Sequence, residues 1–153
     1  MLIKYIIDED IAQYKKTCMT IGFPYCDFKC GKELCQNSSI AKAKNIEISY
    51  DNIIKRYLSN PLSEAICFQG LEPLYYPRNA YILVALFRKY TLDDIVIYTG
   101  YKKSEITKHI NHFKNYKNII IKYGRYIPNQ TPHYDEVLGV NLASDNQYAE
   151  RIS

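Results

Sequence analysis

Cys26, Cys30 and Cys35 stand together in the run CDFKCGKELC, whereas Cys18 and Cys67 lie inside apolar runs. Free cysteine behaves as a small buried hydrophobe, so Cys18 and Cys67 are expected in the core. Thiols in a reducing compartment do not form a disulfide framework, and a cluster of them there argues for metal. A structural zinc site closes with four protein ligands. The fourth would have to come from the distant His109, His112 or His133. A cubane iron–sulfur cluster normally takes four thiolates, so three would leave one iron open, as a site that binds substrate needs. Spacing alone therefore admits an iron–sulfur cluster, a zinc site or a reactive thiol cluster without metal.

Composition narrows the setting. The chain has 153 residues, enough for one domain over 1–153, and 47% are apolar or aromatic, so a packed interior is expected. The net charge of +4 is a mild basic excess. Nucleic-acid binders more often carry a basic stripe. The nearest candidates here, Lys102-Lys103 and Lys114 to Lys117, read as solvated helix faces or turns, so no nucleic-acid partner is expected. The start, MLIKYIIDED, turns acidic too soon for a signal sequence, and no apolar run is long enough to span a membrane. A cytoplasmic protein without a membrane partner is the expectation.

The elements that must position the cysteines follow from periodicity. Cys18 to Phe23, Ala65 to Phe68, Ile95 to Tyr98 and Ile119 to Ile121 suit buried strands, each ending near Gly or Pro. Ser49 to Leu58, Asn79 to Tyr90 and Ser104 to Phe113 suit helices, the last with Ser104 as N-cap. An initial strand over Leu2 to Ile7 joins them. The tail from Tyr126 reads as loop with one short strand near Val137 to Val140. This alternation predicts an α/β fold with a mainly parallel sheet and right-handed crossovers. A closed eight-fold barrel needs roughly 200–250 residues, so an open, partial βα barrel is expected. Ligands bind beyond the carboxyl ends of such strands. That is where the cysteine run, Gly70-Leu71-Glu72-Pro73 and Thr99-Gly100-Tyr101 fall.

In that arrangement the chain resembles the radical S-adenosylmethionine superfamily, whose cysteines usually read C-x3-C-x2-C after the first strand. The first gap matches between Cys26 and Cys30. The second holds four residues, Gly31 to Leu34, instead of two. Gly70-Leu71-Glu72-Pro73 resembles the superfamily's Gly-Gly-Glu-Pro turn, with Leu71 in place of the second glycine. The run IVIYTGY, Ile95 to Tyr101, is similar to a stretch of the anaerobic ribonucleoside-triphosphate reductase activating proteins. Gly124-Arg125-Tyr126 and Ser144-Asp145-Asn146-Gln147 resemble further elements of that family, in the same order.

The resemblance implies a 4Fe-4S cluster on Cys26, Cys30 and Cys35, with S-adenosyl-L-methionine as the second cofactor. It implies no catalytic side chain beyond the cluster ligands. Gly70, Leu71 and Glu72 would position the amino group of S-adenosylmethionine. Phe28 or Leu34 would take the place beside the adenine, and Thr99 would meet the ribose or carboxylate. Arg125 would bind the S-adenosylmethionine carboxylate or the protein substrate, or be a surface arginine, and Asn146 and Gln147 would close the site, touch the protein substrate or simply face water. The implied function is an oxidoreductase activase that generates a glycyl radical on a reductase subunit. Its electron would come from a low-potential donor such as flavodoxin or ferredoxin. The alternatives are an activase of another glycyl-radical enzyme and a non-catalytic zinc or iron–sulfur interaction module.

Overall fold

The computed structural model describes residues 1–153. Its elements run β1 (Leu2–Ile3), β2 (Tyr5–Asp10), β3 (Cys18–Phe23), α1 (Ser38–Lys42), β4 (Ile46–Glu47), α2 (Tyr50–Leu58), β5 (Ala65–Gly70), α3 (Arg78–Phe87), β6 (Asp94–Tyr98), α4 (Thr107–Phe113), β7 (Ile119–Tyr123), β8 (His133–Asp135), β9 (Val140–Leu142) and β10 (Tyr148–Arg151). Six strands form one sheet in the order β10-β7-β6-β5-β3-β2. β3, β5, β6 and β7 run parallel, and β2 and β10 are antiparallel edges. The fold is thus mixed α/β around a mainly parallel sheet.

The parallel strands advance in one direction across the sheet, which puts crossover helices of one hand on one face. Sheet residues Met19, Ile21, Ile66, Phe68, Ile95, Ile97, Ile119 and Ile121 pack there with Ile53 and Tyr57 of α2, Leu83 and Phe87 of α3, and Ile110 and Phe113 of α4. The alternate residues point to the other face, as the two-residue period of a strand requires. At the amino ends of the strands that face is covered: Cys18, Ala65, Cys67, Val96 and Ile120 pack with Tyr14, Leu138 and Leu142. At the carboxyl ends it opens into a cavity of about 480 Å³. Cys18 and Cys67 are fully buried, as expected for core thiols.

Four expectations are corrected. The initial run is not one strand: it divides at Lys4, β1 pairing with β4 and β2 with β3. Lys4 Nζ turns aside to donate to the Ala41 carbonyl at 3.1 Å. The tail carries three strands, and Val137-Leu138 lies in the turn between β8 and β9. β10 buries only Ala149, so its sequence shows no alternation, and backbone pairing with β7 specifies it instead. Ser104 is not an N-cap; it sits in a single 3-10 turn, Lys103–Glu105, before α4 starts at Thr107. Glu105 takes the capping role there, accepting from the Lys102 amide at 2.7 Å. α3 ends at Phe87, short of Tyr90, where Arg88 turns out to the Lys117 and Asn118 carbonyls. Ser49 does cap α2, accepting from the Asn52 amide at 3.1 Å. No helix is long and apolar enough to cross a membrane.

Candidate functional site

The cavity opens where three turns meet. Parallel neighbours bring the ends of β3, β5 and β6 side by side: Phe23 pairs with Gly70, and Phe68 with Ile97. Gly70 must be glycine. Its φ is +102°, and a Cβ there would sit 2.6 Å from the Phe23 amide nitrogen. The chain therefore turns tightly against β3. The Leu71 amide donates to the Phe23 carbonyl at 3.2 Å and the Glu72 amide to the Tyr25 carbonyl at 2.9 Å. Leu71 itself keeps a negative φ, so its side chain brings no backbone strain.

Glu72 joins the second turn to the third. Its Oε1 accepts from the Thr99 hydroxyl at 2.9 Å and the Leu74 amide at 3.0 Å, and its Oε2 accepts from the Gly100 amide at 2.8 Å. Burial pushes its carboxyl up to about 7 against the pull of those three donors. Thr99 also accepts from the Tyr101 amide at 3.1 Å. Its hydroxyl thus serves the turn, donating to Glu72 rather than standing free.

Cys26, Cys30 and Cys35 are free and half-buried, and all three line the cavity with Gly70, Leu71, Glu72 and Thr99. Burial pushes the Cys26 thiol up to about 11, and burial together with Cys35 raises Cys30. Metal coordination deprotonates such thiols outright. No three His, Cys, Asp or Glu side chains gather closely enough to hold a single ion. A cubane asks for something else, since each thiolate takes its own iron. Three soft sulfur donors spread along one loop beside a cavity fit that group.

Other expected residues fall differently. Phe28 and Leu34 are absent from the cavity wall. Phe28 stands at φ +52° with the Lys32 ammonium over its ring, and Leu34 is 53% exposed. Arg125 reaches the cavity wall, but its guanidinium forms a two-pronged pair with Glu105 at 2.9 and 3.0 Å. Gln147 is buried, accepting from the Ala143 and Ser144 amides and donating to the Gly124 carbonyl. Asn146 donates to the Arg125 carbonyl at 2.9 Å. Both pin the Gly124 turn instead of facing water.

Lys122 and Asn37 are among the cavity residues that were not foreseen. Lys122 is 7% exposed, and its ammonium donates to the Gly124 carbonyl at 3.0 Å with no carboxylate in ion-pair range. Burial lowers it to about 8. Its signal was legible: a lysine two residues after Ile120 points to the same inner face. Asn37 donates to the Gly70 carbonyl at 2.7 Å, tying the far end of the cysteine loop to the second turn. Only the tertiary approach of the loop reveals that contact.

No curated protein and no solved structure matches the chain. Residues 17–147, from the threshold of β3 to Gln147, match the family model described as 4Fe-4S single cluster domain. The chain belongs to the 4Fe-4S single cluster domain family and is an iron–sulfur protein.

Proposed function

We propose that the chain is a radical S-adenosylmethionine activase that generates a glycyl radical on an anaerobic ribonucleoside-triphosphate reductase. In this reading the sheet is a partial βα barrel. Cys26, Cys30 and Cys35 hold the cluster at the cavity wall, and S-adenosylmethionine fills the cavity. One observation carries the reading: the three thiols, Gly70, Leu71 and Glu72 of the second turn, and Lys122, whose ammonium has no carboxylate partner, line one cavity at the carboxyl ends of parallel strands.

When bound, the pair of cofactors supplies one-electron cleavage of a sulfonium bond and a 5′-deoxyadenosyl radical able to take hydrogen from a backbone glycine. The chain's own part is binding and orientation. Lys122 offers a desolvated positive charge to a carboxylate, where low dielectric strengthens the attraction. Of the turn's carbonyls, Gly70 accepts from Asn37 and Glu72 from the Tyr75 amide, so the Leu71 carbonyl is the acceptor that would meet an amino group. Glu72 and Thr99 keep the second and third turns in register. The packed plug of Tyr14, Leu138 and Leu142 closes the amino end of the inner face to water. A glycine loop from a reductase subunit would enter from the carboxyl side, and a low-potential donor such as flavodoxin or ferredoxin would supply the electron.

The test is direct. Anaerobic reconstitution with iron and sulfide, followed by reductant and S-adenosylmethionine, should yield 5′-deoxyadenosine, and Cys30→Ala should abolish it. A Cys30→Ala protein as active as the parent would remove the cluster assignment. A reconstituted parent that forms no 5′-deoxyadenosine would leave a cluster-binding module without this chemistry.

A further inference from the structure

The cysteine loop has almost no attachment to the rest of the molecule. Its entry is held by the Glu72 amide on the Tyr25 carbonyl, and its exit by Asn37 on the Gly70 carbonyl. Between Cys26 and Gln36 the hydrogen bonds otherwise stay inside the loop or run to the adjoining start of α1, where the Ser38 amide donates to the Cys35 carbonyl: Phe28 N to Cys26 Sγ, Lys29 N to Asp27, Gly31 N to the Phe28 carbonyl and Leu34 N to the Gly31 carbonyl. The exception is Asp27, whose Oδ2 accepts from the Tyr101 hydroxyl at 2.8 Å.

Tyr101 is a firm anchor. Its amide donates to Thr99, and its carbonyl accepts from the Gly124 amide at 3.2 Å, so it belongs to both the β6 and β7 turns. The Arg125 guanidinium lies 5.3 Å and the Lys29 ammonium 5.2 Å from the centroid of its ring. Asp27 in turn shapes the loop. Its Oδ1 receives the Lys29 amide at 3.3 Å, closing the turn in which Phe28 takes its positive φ and points its amide at Cys26 Sγ, 3.2 Å away.

We propose that the Tyr101–Asp27 hydrogen bond is the clamp that fixes how the loop presents Cys26 and Cys30 to the cluster, with both residues acting as positioning residues. The proposal rests on the reading that these cysteines hold the cluster. Two consequences follow from its geometry. Freeing Asp27 loosens the loop, so iron escapes faster. It also loosens the Phe28 N–H donated to a cluster sulfur, and loss of such a donor disfavours the more negative, reduced cluster.

The experiment uses reconstituted full-length protein and reads two quantities: the rate of iron release to a chelator and the cluster's midpoint potential. Tyr101→Phe and Asp27→Ala should each release iron about tenfold faster, the factor carried by one hydrogen bond to a charged group, with a more negative potential. The double variant should be no faster than Asp27→Ala alone, because the Tyr101 bond is already lost in that variant. Asp27→Asn keeps an acceptor oxygen and should restore slow release. Wild-type release and potential in Tyr101→Phe would overturn the clamp, as would additive effects in the double variant. So would a metal-free Tyr101→Phe protein melting well below the parent, since the effect would then be general damage. Cys30→Ala separates the underlying reading: full cluster uptake by that variant would overturn the cysteine assignment whatever the clamp variants do.

Discussion

The Glu72 carboxylate receives the Thr99 hydroxyl at 2.9 Å and the Gly100 amide at 2.8 Å, so an acid after one strand is held by the turn after the next. The two turns that line the cavity therefore move as one unit. A buried carboxylate without such donors would carry a large desolvation penalty.

Removing the Thr99 hydroxyl should expose that penalty. Thr99→Val leaves Oε1 of Glu72 with one donor fewer and the Tyr101 amide without its acceptor, at a cost of about 2 kcal/mol in unfolding free energy. Thr99→Ser keeps the hydroxyl and should recover most of it. Urea denaturation of the two variants checks this, and equal stabilities would contradict it.

Stability should fall as pH rises toward neutrality because of Glu72. Its carboxyl moves from 4.5 to about 7 on folding. Between those values the folded chain binds the proton and the unfolded chain has lost it, so unfolding becomes easier as pH increases. The stabilisation is complete below pH 4.5 and gone above about 7, with a span of about 3 kcal/mol for this one group. Glu72→Gln should flatten that slope in urea midpoints measured across the window, and an unchanged slope would assign it to another group.

Lys122→Met should separate binding from folding. The ammonium is buried with one carbonyl for a partner, so methionine of similar volume should leave stability unchanged or raise it. If S-adenosylmethionine fills the cavity as proposed, its affinity should drop about tenfold to a hundredfold through loss of a desolvated charge contact. Anaerobic calorimetry on reconstituted protein measures both, and unaltered affinity would remove Lys122 from the site.

The five cysteines should divide into two groups by substitution. Cys26→Ala, Cys30→Ala and Cys35→Ala should each lose iron while the metal-free protein melts like the parent, since all three are partly exposed. Cys18→Ala and Cys67→Ala should keep full iron content and lose about 1 kcal/mol of stability from small core cavities. Iron analysis beside thermal melts decides this, and iron loss in either core variant would redraw the ligand set.

Gly70→Ala should be the most damaging small change near the cavity. The methyl group would meet backbone atoms of β3 at 2.6 to 2.9 Å while φ stays at +102°. Strain of this kind costs about 1–3 kcal/mol before the clash is counted. Circular dichroism melts should show a marked drop, and a wild-type melt would mean the turn relaxes freely.

By itself the sequence determined the strand–helix alternation, because short β-branched or aromatic runs such as Cys18 to Phe23 and Ile119 to Ile121 end near Gly or Pro while the segments between them carry helical stripes. It also placed the cysteine run, the Gly70 turn and the Thr99 turn at strand ends, since glycine and proline mark those ends. The division between core and candidate ligand thiols was legible in the same way, from apolar flanks against polar ones. Only the tertiary structure decided the partners of polar side chains. Glu72 with Thr99, Asp27 with Tyr101, and Asn37 with the Gly70 carbonyl all join residues far apart in sequence, and no local period encodes such contacts. The same holds for β10, which buries a single alanine and exists because β7 offers an unpaired edge. Phe28 and Leu34 left the cavity for a related reason: loop side chains point where backbone turns and neighbouring charges send them, and spacing between cysteines does not specify that direction.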